Sequence, residues 1–79
     1  MKFREEETRA IKRYISLKDC KEIAEKYDFS RETLYNILSG KTEYTTSSRR
    51  KKGMIREVIS RVRKESEKDS KILNNILKL

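Results

Sequence analysis

Side chains that could perform catalysis or bind a metal are scarce in this 79-residue chain. It contains no histidine, the commonest general base and metal ligand, and Cys20 is its only cysteine, so no internal disulfide can form. The acidic run Glu5–Glu7 lies at a helix start, where it makes a poor paired-carboxylate site. Gly40 and Gly53, the only glycines, lie too far apart for a phosphate-binding loop. We therefore predict a protein without a catalytic site, a metal site or a cofactor.

The residues with the clearest potential for binding chemistry lie between positions 19 and 41, which read as two short helices joined by a tight turn. Asp19 is predicted to cap the first helix, with Glu22 completing a capping box. Ser30 is predicted to cap the second helix, and Gly40 to end it. The turn falls at Asp28, because Asp adopts the left-handed backbone region more readily than most residues.

Apolar residues in the same segment recur at helical spacing and predict how the two helices pack. We expect Phe29 to anchor the turn in the core, and the small side chain of Ala24 to let the helices cross closely. Ala24 and Leu34 are therefore expected to be almost fully buried. The inward-facing residues are Ile23, Ala24, Tyr27, Leu34, Ile37 and Leu38.

This pattern resembles the helix-turn-helix DNA-binding proteins, including the phage-repressor-like regulators and the DNA-binding domains of resolvases and invertases. The run Ser30–Tyr35 followed by Gly40 and Lys41 is similar to the recognition-helix part of that superfamily. Asp28 departs from it, since the family usually has Gly at the turn. The resemblance implies an all-α fold, a small bundle of four to five helices containing a helix-turn-helix, and binding to double-stranded DNA. The alternative is a plain helical hairpin within a bundle.

Four outward-facing residues of the second helix are the candidates for contacts with bases: Arg31, Glu32, Tyr35 and Asn36. Arg31 can reach a guanine edge or a phosphate, and Asn36 can pair bidentately with adenine. Glu32 can accept from cytosine or pair within its own helix. Tyr35 offers its ring to a thymine methyl group and its hydroxyl to a phosphate.

A second set of polar and basic residues is predicted to contact the DNA backbone. These residues flank the second helix, where a duplex lying against that helix would place its phosphates. The candidates are Ser30, Ser39, Lys41, Tyr44, Thr45, Thr46, Arg49, Arg50, Lys51 and Lys52.

The charge distribution supports the same interpretation. The formal net charge of the chain is +8, and residues 41–64 contribute +7 of it, from nine basic and two acidic side chains. A polyanion bound to the second helix would also meet this segment. The alternative is a charged surface that only keeps the protein soluble.

The remaining sequence is predicted to add helices on both sides of this unit. A first helix is expected over residues 4–17, and a long one from Ser47 or Ser48 to about Glu67, with Ile55, Val58, Ile59 and Val62 buried. Because Gly53 disfavours a helix, the start of this helix is expected either to fray or to lie nearer Met54, which would leave residues 49–52 as a mobile arm. We divide the single domain into a helix-turn-helix core (1–47) and a basic helix with an apolar tail (48–79).

The C-terminal tail is predicted to start with a short helix capped by Asp69 or Ser70. Its five large apolar residues suggest a homodimer, whose two recognition helices would lie about 34 Å apart on the duplex. Alternatively, the tail folds back onto its own core. The apolar residues of this tail are Ile72, Leu73, Ile76, Leu77 and Leu79.

Together these features predict a small, sequence-specific transcription regulator of phage or mobile-element type. We expect it in the cytoplasm of a bacterial or phage-infected cell, associated with the nucleoid, since no apolar stretch is long enough to cross a bilayer. One alternative is an architectural or recombination accessory protein that binds DNA through the same contacts. Another, from a different class, is a helical protein–protein interaction module with a basic face.

Overall fold

The computed structural model describes residues 2–44 and 48–73, and within these ranges the chain is all-α, with no strand. The predicted fold class is confirmed. Five helices are followed by a single 3₁₀ turn at Lys71–Leu73. The helices are α1 (Glu5–Tyr14), α2 (Leu17–Lys26), α3 (Arg31–Leu38), α4 (Arg49–Glu65) and α5 (Glu67–Ser70).

The boundary between α1 and α2 differs from the sequence prediction. The N-cap of α2 is Ser16, whose hydroxyl accepts a hydrogen bond from the Asp19 amide at 3.1 Å. The Asp19 carboxylate accepts in turn from the Ser16 amide at 2.9 Å. The capping box is therefore Ser16–Asp19, so the prediction of Asp19 as the N-cap is wrong. Because α2 starts at Leu17, α1 cannot run to residue 17 and ends at Tyr14.

The turn between α2 and α3 is built as the sequence predicts. Asp28 has a φ of +63°, in the left-handed region. The Ser30 hydroxyl caps α3 by accepting from the Thr33 amide at 3.1 Å. Ala24 and Leu34 are both 0% exposed, which confirms their predicted burial. The two helices are thus packed closely around a small side chain.

The C-terminal end of α3 is closed by Gly40, with a φ of +77°. The Gly40 amide donates to the Ile37 carbonyl at 3.1 Å and the Lys41 amide to the Asn36 carbonyl at 3.0 Å, the two bonds of a Schellman motif. A Cβ atom at position 40 would lie 3.0 Å from the Phe3 carbonyl oxygen. Glycine is therefore required both by its backbone conformation and by the close approach of the N-terminal segment.

The long helix α4 begins after Ser48, one of its two predicted caps. The Ser48 hydroxyl accepts from the Lys51 amide at 3.3 Å, so residues 49–52 form the first turn of α4, and the alternative of a start near Met54 with a mobile arm is wrong. Gly53 lies inside the helix, and the ring of Tyr27, the residue that follows α2, packs against it. A Cβ atom at position 53 would lie 2.9 Å from the Tyr27 ring.

A polar cluster centred on Glu57 joins α4 to the end of α2. Its carboxylate accepts from Lys26 Nζ at 2.8 Å, from the Tyr27 hydroxyl at 3.2 Å and from Arg61 at 3.3 Å. The hydrogen bond from Lys26, followed by that from Tyr27, lowers the pKa of the Glu57 carboxyl. The four predicted core residues of α4 are buried, as is Met54; they are Ile55, Val58, Ile59 and Val62.

The last described segment packs back onto α1. Ser66 caps α5, because its hydroxyl accepts from the Asp69 amide at 3.2 Å. Asp69 and Ser70, the predicted caps of a following helix, lie inside α5, and most of that predicted helix lies outside the described residues. The Asp69 carboxylate accepts from the Tyr14 hydroxyl at 2.6 Å, and this hydrogen bond lowers the pKa of the carboxyl. Leu73 is completely buried. The predicted tail residues Ile76, Leu77 and Leu79 lie outside the described residues.

None of the helices in residues 2–44 and 48–73 combines the length and the apolar character that a bilayer span requires.

Candidate nucleic-acid interface

The outward face of α3 brings the four predicted base-contacting residues into one surface cleft of about 390 Å³. Arg31, Glu32 and Tyr35 are exposed, and Asn36 is half-buried. Ser30, the cap of this helix, is exposed beside Arg31. The side chains in this cleft offer a cation, a carboxylate, an amide and a phenol, which between them can both donate and accept hydrogen bonds at a ligand edge.

Leu17 completes the same cleft, and the sequence analysis did not identify it. It is the first residue of α2 and its side chain is 57% exposed. By helix geometry, the amides of Leu17 and Lys18 have no acceptor within α2. The positive end of α2 therefore lies beside the cleft on α3, which Leu17 lines. The pattern Ser16-x-x-Asp19 was the signal for this helix start, since it fits a capping box as well as Asp19-x-x-Glu22 does.

Two clefts adjoin each other at the side chains of Leu17 and Tyr35, which line both. The second cleft, of about 320 Å³, is mainly apolar, with Ile15, Cys20 and Leu38 among its lining residues. Burial raises the pKa of the Cys20 thiol, so this cysteine has the character of a core residue.

The predicted backbone contacts after α3 have different environments. Lys41 is exposed directly after the Gly40 turn. Ser39 is half-buried, and its hydroxyl has no hydrogen-bond partner among the described residues. Tyr44 is only 7% exposed, with its ring centroid 4.9 Å from that of Phe3, so we correct its assignment from phosphate contact to core residue. Thr45 and Thr46 lie outside the described residues.

The basic residues Arg49, Arg50, Lys51 and Lys52 occupy the first turn of α4, which contains no acidic side chain. Arg50 reaches the turn before α3. Its guanidinium lies 4.8 Å from the centroid of the Phe29 ring and 3.3 Å from the Asp28 carboxylate. The first turn of α4 therefore lies beside the N-terminal end of α3. Arg49 is exposed, and Lys51 and Lys52 are half-buried.

Positive charge continues along the outer side of α4. Arg56, Arg63 and Lys64 are exposed and form no ion pair with any described residue. Arg56 and Arg63 flank Ser60 in an open cleft of about 570 Å³. Within the described ranges, no group of three or more histidine, cysteine or acidic side chains is arranged to hold a metal ion.

Comparisons of the chain with protein-family models, with curated proteins and with solved structures find no match.

Proposed function

We propose that this protein binds double-stranded DNA as a small sequence-specific transcription regulator of phage or mobile-element type, with α2 and α3 acting as a helix-turn-helix. The observation that carries the proposal is the cleft in which Arg31, Glu32, Tyr35 and Asn36 of α3 meet Leu17 at the start of α2. In this arrangement α3 enters the major groove. Regulation then follows from occupancy of a promoter or operator, without a chemical step.

Sequence is read in this proposal by the polar residues of α3. Arg31 donates to a guanine edge, and Asn36 forms a bidentate pair with adenine. Glu32 accepts from a cytosine amino group or orients Arg31. Each good bidentate pair discriminates against the wrong base by about 1–3 kcal/mol.

The phosphate backbone is held by groups on both sides of α3. On one side are the free amides of Leu17 and Lys18, at the positive end of α2, where an anion is favoured. Lys41 follows the C-terminal end of α3, and the first turn of α4 lies beside its N-terminal end, where Arg50 packs on the turn at Phe29. Ser30 and Ser39 are further candidates at the two ends of α3.

Selection of bound duplexes from a random pool tests binding, specificity and half-site symmetry together. Arg31→Ala and Asn36→Ala are each expected to cost on the order of 1–3 kcal/mol of binding free energy and to relax preference at one base position. Lys68→Ala, which removes an exposed cation from α5, is the matched control and should leave the preference unchanged. If the two variants lose the same affinity on all DNA sequences, Arg31 and Asn36 contact only the DNA backbone.

The salt dependence of affinity tests the phosphate contacts separately. If about five phosphates are neutralised, the logarithm of affinity falls with the logarithm of salt concentration at a slope of roughly −4 to −5. A slope near zero refutes DNA binding and favours the helical protein-interaction module instead.

The cations on the outer side of α4 favour a second candidate function, that of an architectural or recombination accessory protein. Arg56, Arg63 and Lys64 extend the basic surface well beyond the cleft at α3. DNA that wraps around the protein would meet them. A footprint confined to a short palindrome supports the regulator, whereas a long footprint without a consensus, together with DNA bending, supports the architectural protein.

We also propose that the protein binds DNA as a homodimer formed through residues 54–79. Two copies would place two recognition helices one duplex turn apart. Because Leu73 is buried within its own chain, the tail also contributes to the monomer core. Light scattering of the full chain and of a version ending at Glu67 tests the dimer. If both the full chain and the shortened version are monomeric at tens of micromolar, and the shortened version is only less stable, the dimer proposal is refuted.

A further inference from the structure

The side chain of Leu17 and the ring of Tyr35, at the edge of the cleft on α3, present apolar surface that cannot hydrogen bond to phosphates or to the polar edges of bases. Leu17 is 57% exposed and Tyr35 is 36% exposed, and they are the two exposed large hydrophobic residues of the described chain. A single exposed leucine needs no explanation. These two, however, come from different helices and line the same two clefts, so they form one apolar surface.

The position of this surface indicates what it contacts. On one side it borders the polar groups of Arg31, Glu32 and Asn36, which are suited to a base edge. A ligand that hydrogen bonds to those groups would bring its neighbouring atoms against Leu17 and Tyr35. In the major groove only thymine presents an apolar group, the C5-methyl, beside hydrogen-bonding atoms.

We propose that Leu17 and Tyr35 form a thymine-selective subsite that contacts the C5-methyl group of a base next to those contacted by Arg31 and Asn36. The inference rests on the proposed DNA binding and adds a specificity-determining residue, Leu17, from outside the recognition helix. Leu17 supplies aliphatic surface and Tyr35 the face of its ring. Leu17 is the first residue of α2, whose start is capped by Ser16, and Tyr35 lies in the middle of α3, whose start is capped by Ser30.

Replacement of thymine by deoxyuridine removes only the methyl group, so it tests the subsite without altering base pairing. The probe is a 20-base-pair duplex of the selected sequence, or of mixed sequence if selection yields no consensus. Transfer of one methyl group from water changes affinity about fourfold. We therefore expect full replacement of thymine to weaken binding by at least about fourfold, with the loss concentrated at one position per half-site.

The protein variants then assign the methyl contact. Leu17→Ala should abolish most of the difference between the thymine and deoxyuridine duplexes, whereas Leu17→Met, which keeps an apolar side chain of similar volume, should preserve it. Thermal unfolding of both variants should match that of the parent protein, because Leu17 is largely exposed.

Each other outcome overturns a distinct statement. Equal affinity for the two duplexes refutes the subsite and leaves DNA binding intact. An undiminished methyl effect in Leu17→Ala places the contact elsewhere and refutes the assignment. A change of oligomeric state in Leu17→Ala, with no change in the methyl effect, makes the surface an interface between copies. Failure to bind either duplex refutes the proposed function itself.

Discussion

The packing of α2 against α3 leads to a prediction about Ala24, which lies in the second half of α2 and is 0% exposed. Replacing Ala24 by leucine adds three carbon atoms at a fully buried position in the core that α2 and α3 share. Such overpacking costs about 1–3 kcal/mol, because neighbouring side chains or the helices themselves must move. A domain of this size has only about 3–5 kcal/mol of stability from its core, so the loss is a large fraction of the total.

The reverse change is expected to be unfavourable as well. Ala24→Gly removes one buried methyl group, worth about 0.8 kcal/mol. It also loses about 1 kcal/mol of helix propensity. Alanine is therefore the optimum at this position, with both the larger and the smaller side chain less stable by roughly 1–3 kcal/mol.

Urea unfolding followed by the helical circular dichroism signal measures these differences. Glu25→Leu is the matched control, since it adds an apolar side chain at the adjacent exposed position of α2 and should change the free energy of unfolding by less than about 0.5 kcal/mol. If Ala24→Leu is as stable as the parent protein, the two helices do not pack as closely as described and the reasoning fails. Affinity for DNA should fall with Ala24→Leu even below the unfolding transition, because the tilt of α3 would change.

Three further predictions concern the contacts around this unit. Gly40→Ala should lower the unfolding free energy by about 2–3 kcal/mol, from the left-handed backbone and the approach to Phe3; an unchanged urea midpoint would contradict this. Glu57→Ala, measured in the same way, should cost about 1 kcal/mol, because the half-buried Tyr27 hydroxyl loses its acceptor while Arg61 keeps Asp19 and Lys26 is exposed to water; Glu65→Ala, exposed on the same helix, should be near neutral. The pKa of the Asp69 carboxyl is lowered in the folded state, so its contribution is present at pH 7 and is lost as the pH falls from about 5 through that lowered value. Asp69→Asn should therefore flatten the loss of stability between pH 5 and pH 3, and an unaltered pH profile would refute the role of this carboxylate.

Most helix positions could be predicted from sequence, because periodic apolar residues and local capping patterns determine them. Ser30, Gly40 and the buried residues of α4 follow from such patterns. The predicted start of α2 was wrong, because Ser16 and Asp19 can each begin a capping box and the local sequence alone does not choose between them. The two-residue connection after Tyr14 makes Ser16 the cap.

The other differences arise from contacts between residues far apart in the chain. Gly53 was assigned only its cost to a helix, whereas its role is to admit the Tyr27 ring. Tyr44 lies in a polar segment and was predicted to contact phosphate, but its ring packs against that of Phe3. Leu17 was missed at the candidate site because its importance depends on the position of α3 beside it. No pattern of spacing along the sequence encodes these three pairings.

The first turn of α4 has an energetic consequence for how the protein responds to ions. Four cations crowd the positive end of this helix, where they repel one another and the helix dipole. Added salt screens that repulsion and stabilises the turn, while the same salt weakens attachment to a polyanion. Stability of the free protein should thus rise with ionic strength over the range in which affinity falls. In the proposed complex with DNA, the polyanion would replace the salt as the counter-charge, so DNA binding should stabilise this turn of α4 more than the rest of the fold.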